Sequence, residues 1–322
     1  MNFRTEIKPV STDIRISHRS RVVMLGSCFS DNIGSRLRER MFHVEINPLG
    51  TVYNPASIAE TVSLITSGRT VCENELFQHE GLWRHFLCHT SLARTEKSEA
   101  AGVINRSLDR VRKFIGSAEE LVVIITLGTA RVYERDGRVV SNCHKLPAAQ
   151  FTRRLMDVDE SAQAILGAIR AFGGVCRSVR VILTVSPIRH KECGLDGNSL
   201  SKAILRVACQ KIVDACAGTL YFPAFEALVD DLRDYRFYQA DMMHPSDVAA
   251  DYVYSLFEES VMDQATRMLG QECLKITRRR NHRRLTDTLA AELFEQETTA
   301  MMKSLLAAHP ELCDVSTINT EN

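Results

Sequence analysis

Apolar residues along this chain fall into two kinds of pattern. Continuous runs rich in β-branched residues occupy positions 21–25 (RVVML), 121–127 (LVVIITL) and 179–185 (VRVILTV), with a shorter one at 219–222. Such runs predict strands buried on both faces of a sheet. Between them, apolar residues recur every three or four positions: Ile33, Leu37 and Met41 within 31–41, and Ile58, Val62, Leu64 and Ile65 within 55–67. Segments 161–172, 199–217 and 245–257 repeat that helical spacing. Asn54 stands where a cap is needed and Pro55 at the first helical position of the second helix. Residues 131–141 predict a hairpin turning at Asp136-Gly137. Residues 74–92 break the alternation with short aromatic pieces (Phe77, Trp83, Phe86), as an inserted hairpin or lid would. Strands alternating with helices predict an α/β fold, a parallel sheet covered on both sides.

After about residue 270 the pattern changes. Residues 275–284 (KITRRRNHRR) are strongly basic, 285–309 form a long helix-like stretch rich in Ala, Glu and Met, and 314–322 are mostly polar and expected to fray. The organisation predicted is a main domain over 1–270 followed by a basic segment and helical C-terminal extension over 271–322. The basic residues 278–284 read as a solvated helix face or linker before an anion site. Leu285, Leu289, Leu293 and Leu305 open the last helix to packing on the core or to self-association into an oligomer.

Charge and cysteine usage narrow the function classes. The 40 Lys and Arg balance 40 Asp and Glu, so no net field would collect nucleic acid. No apolar run approaches the ~18 residues that span a bilayer, and residues 1–12 are polar without an apolar leader behind them, so a cytoplasmic protein is expected. Ten cysteines are scattered without a C-x-x-C pair, which predicts reduced residues and no zinc or thioredoxin-like site. The adjacent pairs Cys88-His89 and Cys143-His144 suit a metal poorly, because neighbouring residues rarely reach one ion. No P-loop and no G-x-G-x-x-G occurs.

Open parallel sheets bind ligands beyond the carboxyl ends of their strands. Three segments arrive there with useful groups. Ser27 directly follows the first strand at a helix N-terminus, where unpaired N–H groups favour negative charge. A hydroxyl there can attack a carbonyl, and it can equally be a plain N-cap. Asp241 and His244, three residues apart before a late helix, can act as a base and its orienting carboxylate. Each could instead cap that helix, with Pro245 at its start. Gly128-Thr129, after the strand at 121–127, and Gly50 can bring backbone N–H groups to an oxyanion or be turn glycines. Cys28 offers a thiol at the same helix N-terminus. It ranks below Ser27 here, on the ground that a residue one position along points elsewhere.

Several segments taken in order carry a resemblance. Gly26-Ser27-Cys28-Phe29-Ser30 is similar to the signature of the GSCFA family, with serine in place of the last alanine. Residues 47–55 (NPLGTVYNP), 126–130 (TLGTA), 142–147 (NCHKLP), 184–190 (TVSPIRH), 221–226 (YFPAFE) and 241–245 (DMMHP) also resemble it, spanning roughly residues 20–260. The family is similar to SGNH/GDSL hydrolases. This implies a flavodoxin-like three-layer α/β/α sandwich and a serine esterase working through an acyl-serine intermediate, with Ser27, Asp241 and His244 catalytic and Gly50 in the second block. The acyl acceptor is water in an esterase and a sugar hydroxyl in an O-acyltransferase, and an acylated saccharide is the substrate class the resemblance suggests. The chemistry requires no metal and no organic cofactor. In one place the chain departs from the pattern: the third-block asparagine slot, two residues beyond Gly128, holds Ala130. Thr129, Asn142 or His144 would then substitute, or the oxyanion hole is backbone only. That departure keeps a rival in view, a non-catalytic module of the same fold that binds a glycan or protein partner.

Overall fold

The structure, a computed structural model, describes residues 4–281 and 289–313. Arg283, Arg284, Leu285 and the stretch 314–322 lie outside the described residues. Strand β1 (Arg21–Gly26) leads into helix α1 (Cys28–Glu39) and strand β2 (His43–Ile46). Helix α2 (Pro55–Thr66), the hairpin β3 (Phe77–His79) and β4 (Leu82–Arg84), helix α3 (Lys97–Gly116) and strand β5 (Leu121–Leu127) follow. A second excursion holds β6 (Arg131–Arg135), β7 (Arg138–Val140) and β8 (Thr152–Leu155). The chain then runs through α4 (Val158–Gly173), β9 (Val179–Val185), α5 (Gly194–Ala215), β10 (Thr219–Tyr221) and the one-turn α6 (Ala224–Glu226). Helices α7 (Asp247–Val261), α8 (Gln264–Arg280) and α9 (Leu289–Ala308) complete it.

Five strands pair in the order β10-β9-β5-β1-β2, all parallel. Counted along the main sheet this is 2-1-3-4-5, the flavodoxin-like order, whose direction of winding reverses between its first and third strands. Alternation along β1 divides the core. Val23 and Leu25 join one apolar cluster with Ile58 of α2, Leu108 of α3, Ile165 of α4 and Leu205 of α5. Val22 and Met24 join the other, with Ile33 and Leu37 of α1 and Val253 and Phe257 of α7. Two clusters on opposite faces of one sheet make the three layers expected from the pattern.

The two excursions form the small sheets β3-β4 and β7-β6-β8. Their tight turns fall at Glu80-Gly81 and at Asp136-Gly137, all four residues at positive φ, as two-residue hairpin turns require. The expected boundary at residue 270 falls inside α8, which runs through it unbroken. Helices α8 and α9 close over Met41 through Cys273, Ile276, Met302 and Leu305. Arg279 of the basic run lies over the Phe294 ring, 4.2 Å from its centroid, and donates to Glu297 at 3.3 Å, so part of that run joins two helices. No helix among the described residues is long and apolar enough to cross a membrane.

Candidate active site

Strands β1 and β5 end level, with Gly26 paired to Thr126. The segments following them, Ser27-Cys28 and Gly128-Thr129, therefore emerge side by side where the winding reverses. The turn out of β1 needs glycine: Gly26 has φ +141°, and a Cβ there would stand 2.2 Å from the Thr126 carbonyl oxygen. Asn47 Oδ1 accepts the Gly26 N–H at 2.9 Å, and Asn47 Nδ2 donates to Asp31 at 2.8 Å, tying the turn to α1 and to the loop after β2.

Ser27 is the N-cap of α1. Its hydroxyl is buried, at 1% residue exposure, and accepts the Phe29 N–H at 3.3 Å. Cys28 opens the helix, and its sulfur lies 3.7 Å from His244 Nε2. The imidazole thus reaches the thiol one position along from Ser27, the residue expected to head the triad. The reason is the helix start. Ser27 takes the second of its two expected roles, the N-cap, and turns back onto the helix end, while Cys28 at the first helical position meets His244.

Asp241 and His244 come together as the sequence suggests. Asp241 Oδ2 lies 2.6 Å from His244 Nδ1, and Oδ1 accepts the N–H groups of Met243 at 2.8 Å and His244 at 3.0 Å. These donors hold the Asp241 carboxyl well below the usual carboxylate range. An ionised carboxylate only accepts, so Nδ1 carries the ring hydrogen and Nε2 presents its lone pair to Cys28. Neither residue caps α7: Ser246 does, accepting the Ala249 N–H at 3.3 Å. The loop is braced from the β9 side, where Lys191 Nζ donates to the Asp241 carbonyl at 3.0 Å and the Arg189 N–H to that of Met243 at 3.3 Å. Asp241 and His244 side chains keep 39% and 37% exposure, enough for a substrate to reach the pair.

The expected oxyanion donors are otherwise engaged. The N–H of Gly50 bonds the Asn47 carbonyl at 2.7 Å, and those of Gly128 and Thr129 both bond the Tyr53 carbonyl, at 2.8 and 2.9 Å. The Thr129 hydroxyl accepts the Arg131 N–H at 3.1 Å and meets Ser201 Oγ at 3.1 Å. Asn142 Oδ1 accepts the His144 N–H at 2.8 Å, and buried His144 bonds the His85 carbonyl at 2.9 Å beside the Phe77 ring. Asn142 and His144 thus brace the hairpin lobe. The N–H of Cys28 remains: at the first helical position it has no intrahelical acceptor, and with that of Phe29 it acts on the Cys28 sulfur, drawing its pKa down.

Burial and Asp31 outweigh those two donors and Lys202, so the Cys28 thiol is raised overall and rests protonated at neutral pH. Sequence reasoning gave no role to three neighbours of this site. Lys202 of α5 is buried, at 2% exposure. His190, after β9, is pushed down to about 4 by burial and then by Lys202, and its buried Nε2 has no hydrogen-bond partner among the described residues. Tyr53 sets its ring edge-on to that of His190, with centroids 5.8 Å apart. A lysine at helical spacing from the apolar residues Leu205, Cys209 and Ile212, which share its buried face, was the available signal for the first. Among the described residues no group of three or more His, Cys, Asp or Glu is placed to hold a metal ion.

Sheet order, thiol, imidazole and carboxylate together define an α/β protein with a Cys–His–Asp constellation at the switch point of its sheet. Residues 21–257 match the GSCFA family, and the chain belongs to it. Among solved structures it is similar to a carbohydrate esterase family 3 protein from Talaromyces cellulolyticus, at 9% identity and TM-score 0.37, covering 78% of this chain and 99% of that one. It is also similar to the Clostridium thermocellum family 3 carbohydrate esterase, at 8% identity and TM-score 0.35, covering 74% and 94%. No curated protein matches.

Proposed function

We propose that the protein is an acyl-ester hydrolase or acyltransferase whose nucleophile is the Cys28 thiol. The observation that carries the reading is the continuous contact Cys28 Sγ–His244 Nε2, His244 Nδ1–Asp241 Oδ2, at 3.7 and 2.6 Å. Nucleophile, base and orienting carboxylate in that sequence are the parts that covalent acyl transfer requires.

In the first step the thiol proton moves to His244 Nε2 as sulfur bonds the acyl carbon and the carbonyl pair becomes an oxyanion near the Cys28 N–H. Collapse re-forms the carbonyl and expels the alkoxide, which takes the proton from His244 and leaves a thioester. Water, or an acceptor hydroxyl, then gives its proton to His244 and attacks that thioester. Sulfur departs as thiolate and recovers the proton. Asp241 stays ionised throughout and keeps Nδ1 protonated, so that Nε2 is free at the start of each half-reaction. The raised thiol favours a proton transfer concerted with attack over a resting thiolate.

The substrate class to assay first is an O-acetylated saccharide, beside p-nitrophenyl acetate as a generic ester. Wild type is expected to release acetate from both, and Cys28→Ala and His244→Ala to do so at least about 10²-fold more slowly. Saccharide binding without release of acetate from either ester would favour the non-catalytic glycan-binding reading instead.

A further inference from the structure

Beside the mouth of the main sheet is a cleft whose hydrogen-bond donors the fold leaves unused. It measures about 40 Å³ and lies between Arg131, Tyr133 and Arg153 of the β6-β8 lobe and His190, Glu192 and Asn198 from the loop after β9 and the start of α5. It adjoins the candidate site on two sides. Thr129 also lines it, in the segment leaving β5, whose end is level with that of β1. The residues flanking His190 bond the loop of the Asp241–His244 pair, through the Arg189 N–H at 3.3 Å and Lys191 Nζ at 3.0 Å. Such a volume exceeds the about 10–15 Å³ that holds one water and is far below the ~300 Å³ of a pocket for a whole small ligand. It suits one small substituent of a molecule whose body lies in the mouth.

The lining decides which substituent. Its one carboxylate, Glu192, is taken by Arg153 at 3.1 Å and by the Tyr133 hydroxyl at 2.9 Å. The Thr129 and Ser201 hydroxyls meet each other at 3.1 Å and accept the N–H groups of Arg131 and Ala130. Arg131 differs from Arg135, Arg153 and Arg154 of the same lobe: each of those reaches a carboxylate, and the Arg131 guanidinium reaches none among the described residues. A Cβ at Gly197 would stand 3.4 Å from Arg131 Nη2, so the guanidinium lies against the first turn of α5. Asn198 is only 9% exposed, yet it uses one end of its amide alone. Oδ1 accepts the His190 N–H at 3.0 Å, and Nδ2 has no acceptor among the described residues. Two unengaged donors, one of them charged, with no uncommitted carboxylate beside them, suit a group that only accepts. A single guanidinium fork matches the planar, singly charged carboxylate.

We propose that this cleft receives a carboxylate of the substrate, with Arg131 and Asn198 as its ligands, so that the ester attacked by Cys28 is carried by an acidic saccharide, a uronate. The inference deepens the saccharide-ester reading and rests on it.

The test is binding by titration calorimetry, which needs no turnover. Methyl glucuronoside and methyl galacturonoside are each compared with the neutral methyl glucoside and methyl galactoside on wild type, Arg131→Gln, Arg131→Lys and Asn198→Asp. Hydrogen bonds to a charged group should let wild type bind at least one uronide ~10-fold more tightly than its neutral counterpart. Arg131→Gln, which removes the charge, should abolish that preference, and Arg131→Lys should restore part of it. Asn198→Asp keeps the Oδ1 acceptor and puts an anion in place of the Nδ2 donor, so it too should abolish the preference. Equal affinity for acid and neutral sugar in wild type overturns the proposal whether or not the variants fold. A uronide preference that survives Arg131→Gln and Asn198→Asp overturns it equally. Failure of the esterase reading would appear separately, as a uronide preference in a protein that releases no acetate from the acetylated glycosides, or as turnover that survives Cys28→Ala.

Discussion

Two Cys–His contacts of almost equal length occur in different regions of this molecule. At the carboxyl edge of the main sheet, Cys28 Sγ lies 3.7 Å from His244 Nε2. In the β3-β4 lobe, Cys88 Sγ lies 3.8 Å from His85 Nδ1. Their surroundings set them apart. Cys88 is buried at 2% exposure and its thiol is pushed up to about 12 by burial alone. His85 is buried too, pushed down to about 4, and its Nδ1 is already taken by the Leu87 N–H at 3.1 Å. Cys28 instead sits at a helix N-terminus, facing an imidazole held by a carboxylate with three donors and open to solvent. Contact distance does not make a nucleophile. A base needs a free lone pair, a fixed tautomer and room for a substrate, and only one of the two sites combines these.

The largest effect should separate the two sites by activity. His244→Ala should lower ester turnover by about 10²–10⁴-fold, the range for losing a general base, whereas His85→Ala and Cys88→Ala should leave the kinetics of the folded protein unchanged. Native-state alkylation sharpens the contrast: Cys28 should label with iodoacetamide in the folded protein and Cys88 only after denaturation, read peptide by peptide.

A third prediction separates Ser27 from its neighbour. Ser27→Ala should keep most of the turnover and cost about 1 kcal/mol of stability in urea unfolding, the usual loss for an N-cap. Inactivation without destabilisation would restore the serine to the reaction. The smallest effect concerns acid. Because the folded His85 titrates near 4 and an unfolded histidine near 6.5, the unfolded chain binds more protons between those values. The stability contributed by neutral His85 is therefore complete above about pH 6.5 and is lost as pH falls toward 4. His85→Gln should reduce the loss on acidification by about 1 kcal/mol at pH 5.5, measured against its own value at neutral pH.

Much of the fold was legible because burial on both faces leaves an unambiguous pattern. The runs at 121–127 and 179–185 coincide with β5 and β9 residue for residue. Strand β2 (HVEI) escapes because it is four residues long, with polar residues alternating with apolar ones. Helix α3 is also absent from the elements the pattern predicts, although Ile104, Leu108, Val111 and Ile115 share its buried face at helical spacing. Of the site, Asp241 and His244 were visible because an Asx turn brings residues three apart into contact. The proposed nucleophile was not, because Ser27 and Cys28 are adjacent and the ranking took the residue one position along to point elsewhere. Ser27, open to both a nucleophile and an N-cap reading in the sequence, caps α1, and the side chain that meets the imidazole is that of Cys28. The oxyanion donors were illegible for a related reason: the N–H groups of Gly50, Gly128 and Thr129 are consumed by the carbonyls of Asn47 and Tyr53, partners that only the folded loops supply.

The most direct measurement is the mass of the acyl-enzyme. Wild-type protein mixed with p-nitrophenyl acetate and quenched in acid within the first turnover should carry one acetyl group, and fragmentation of the peptide containing both residues should place it on Cys28. Hydroxylamine at neutral pH should remove it, as it removes a thioester. An acetyl group on Ser27, stable to that treatment, would contradict the account.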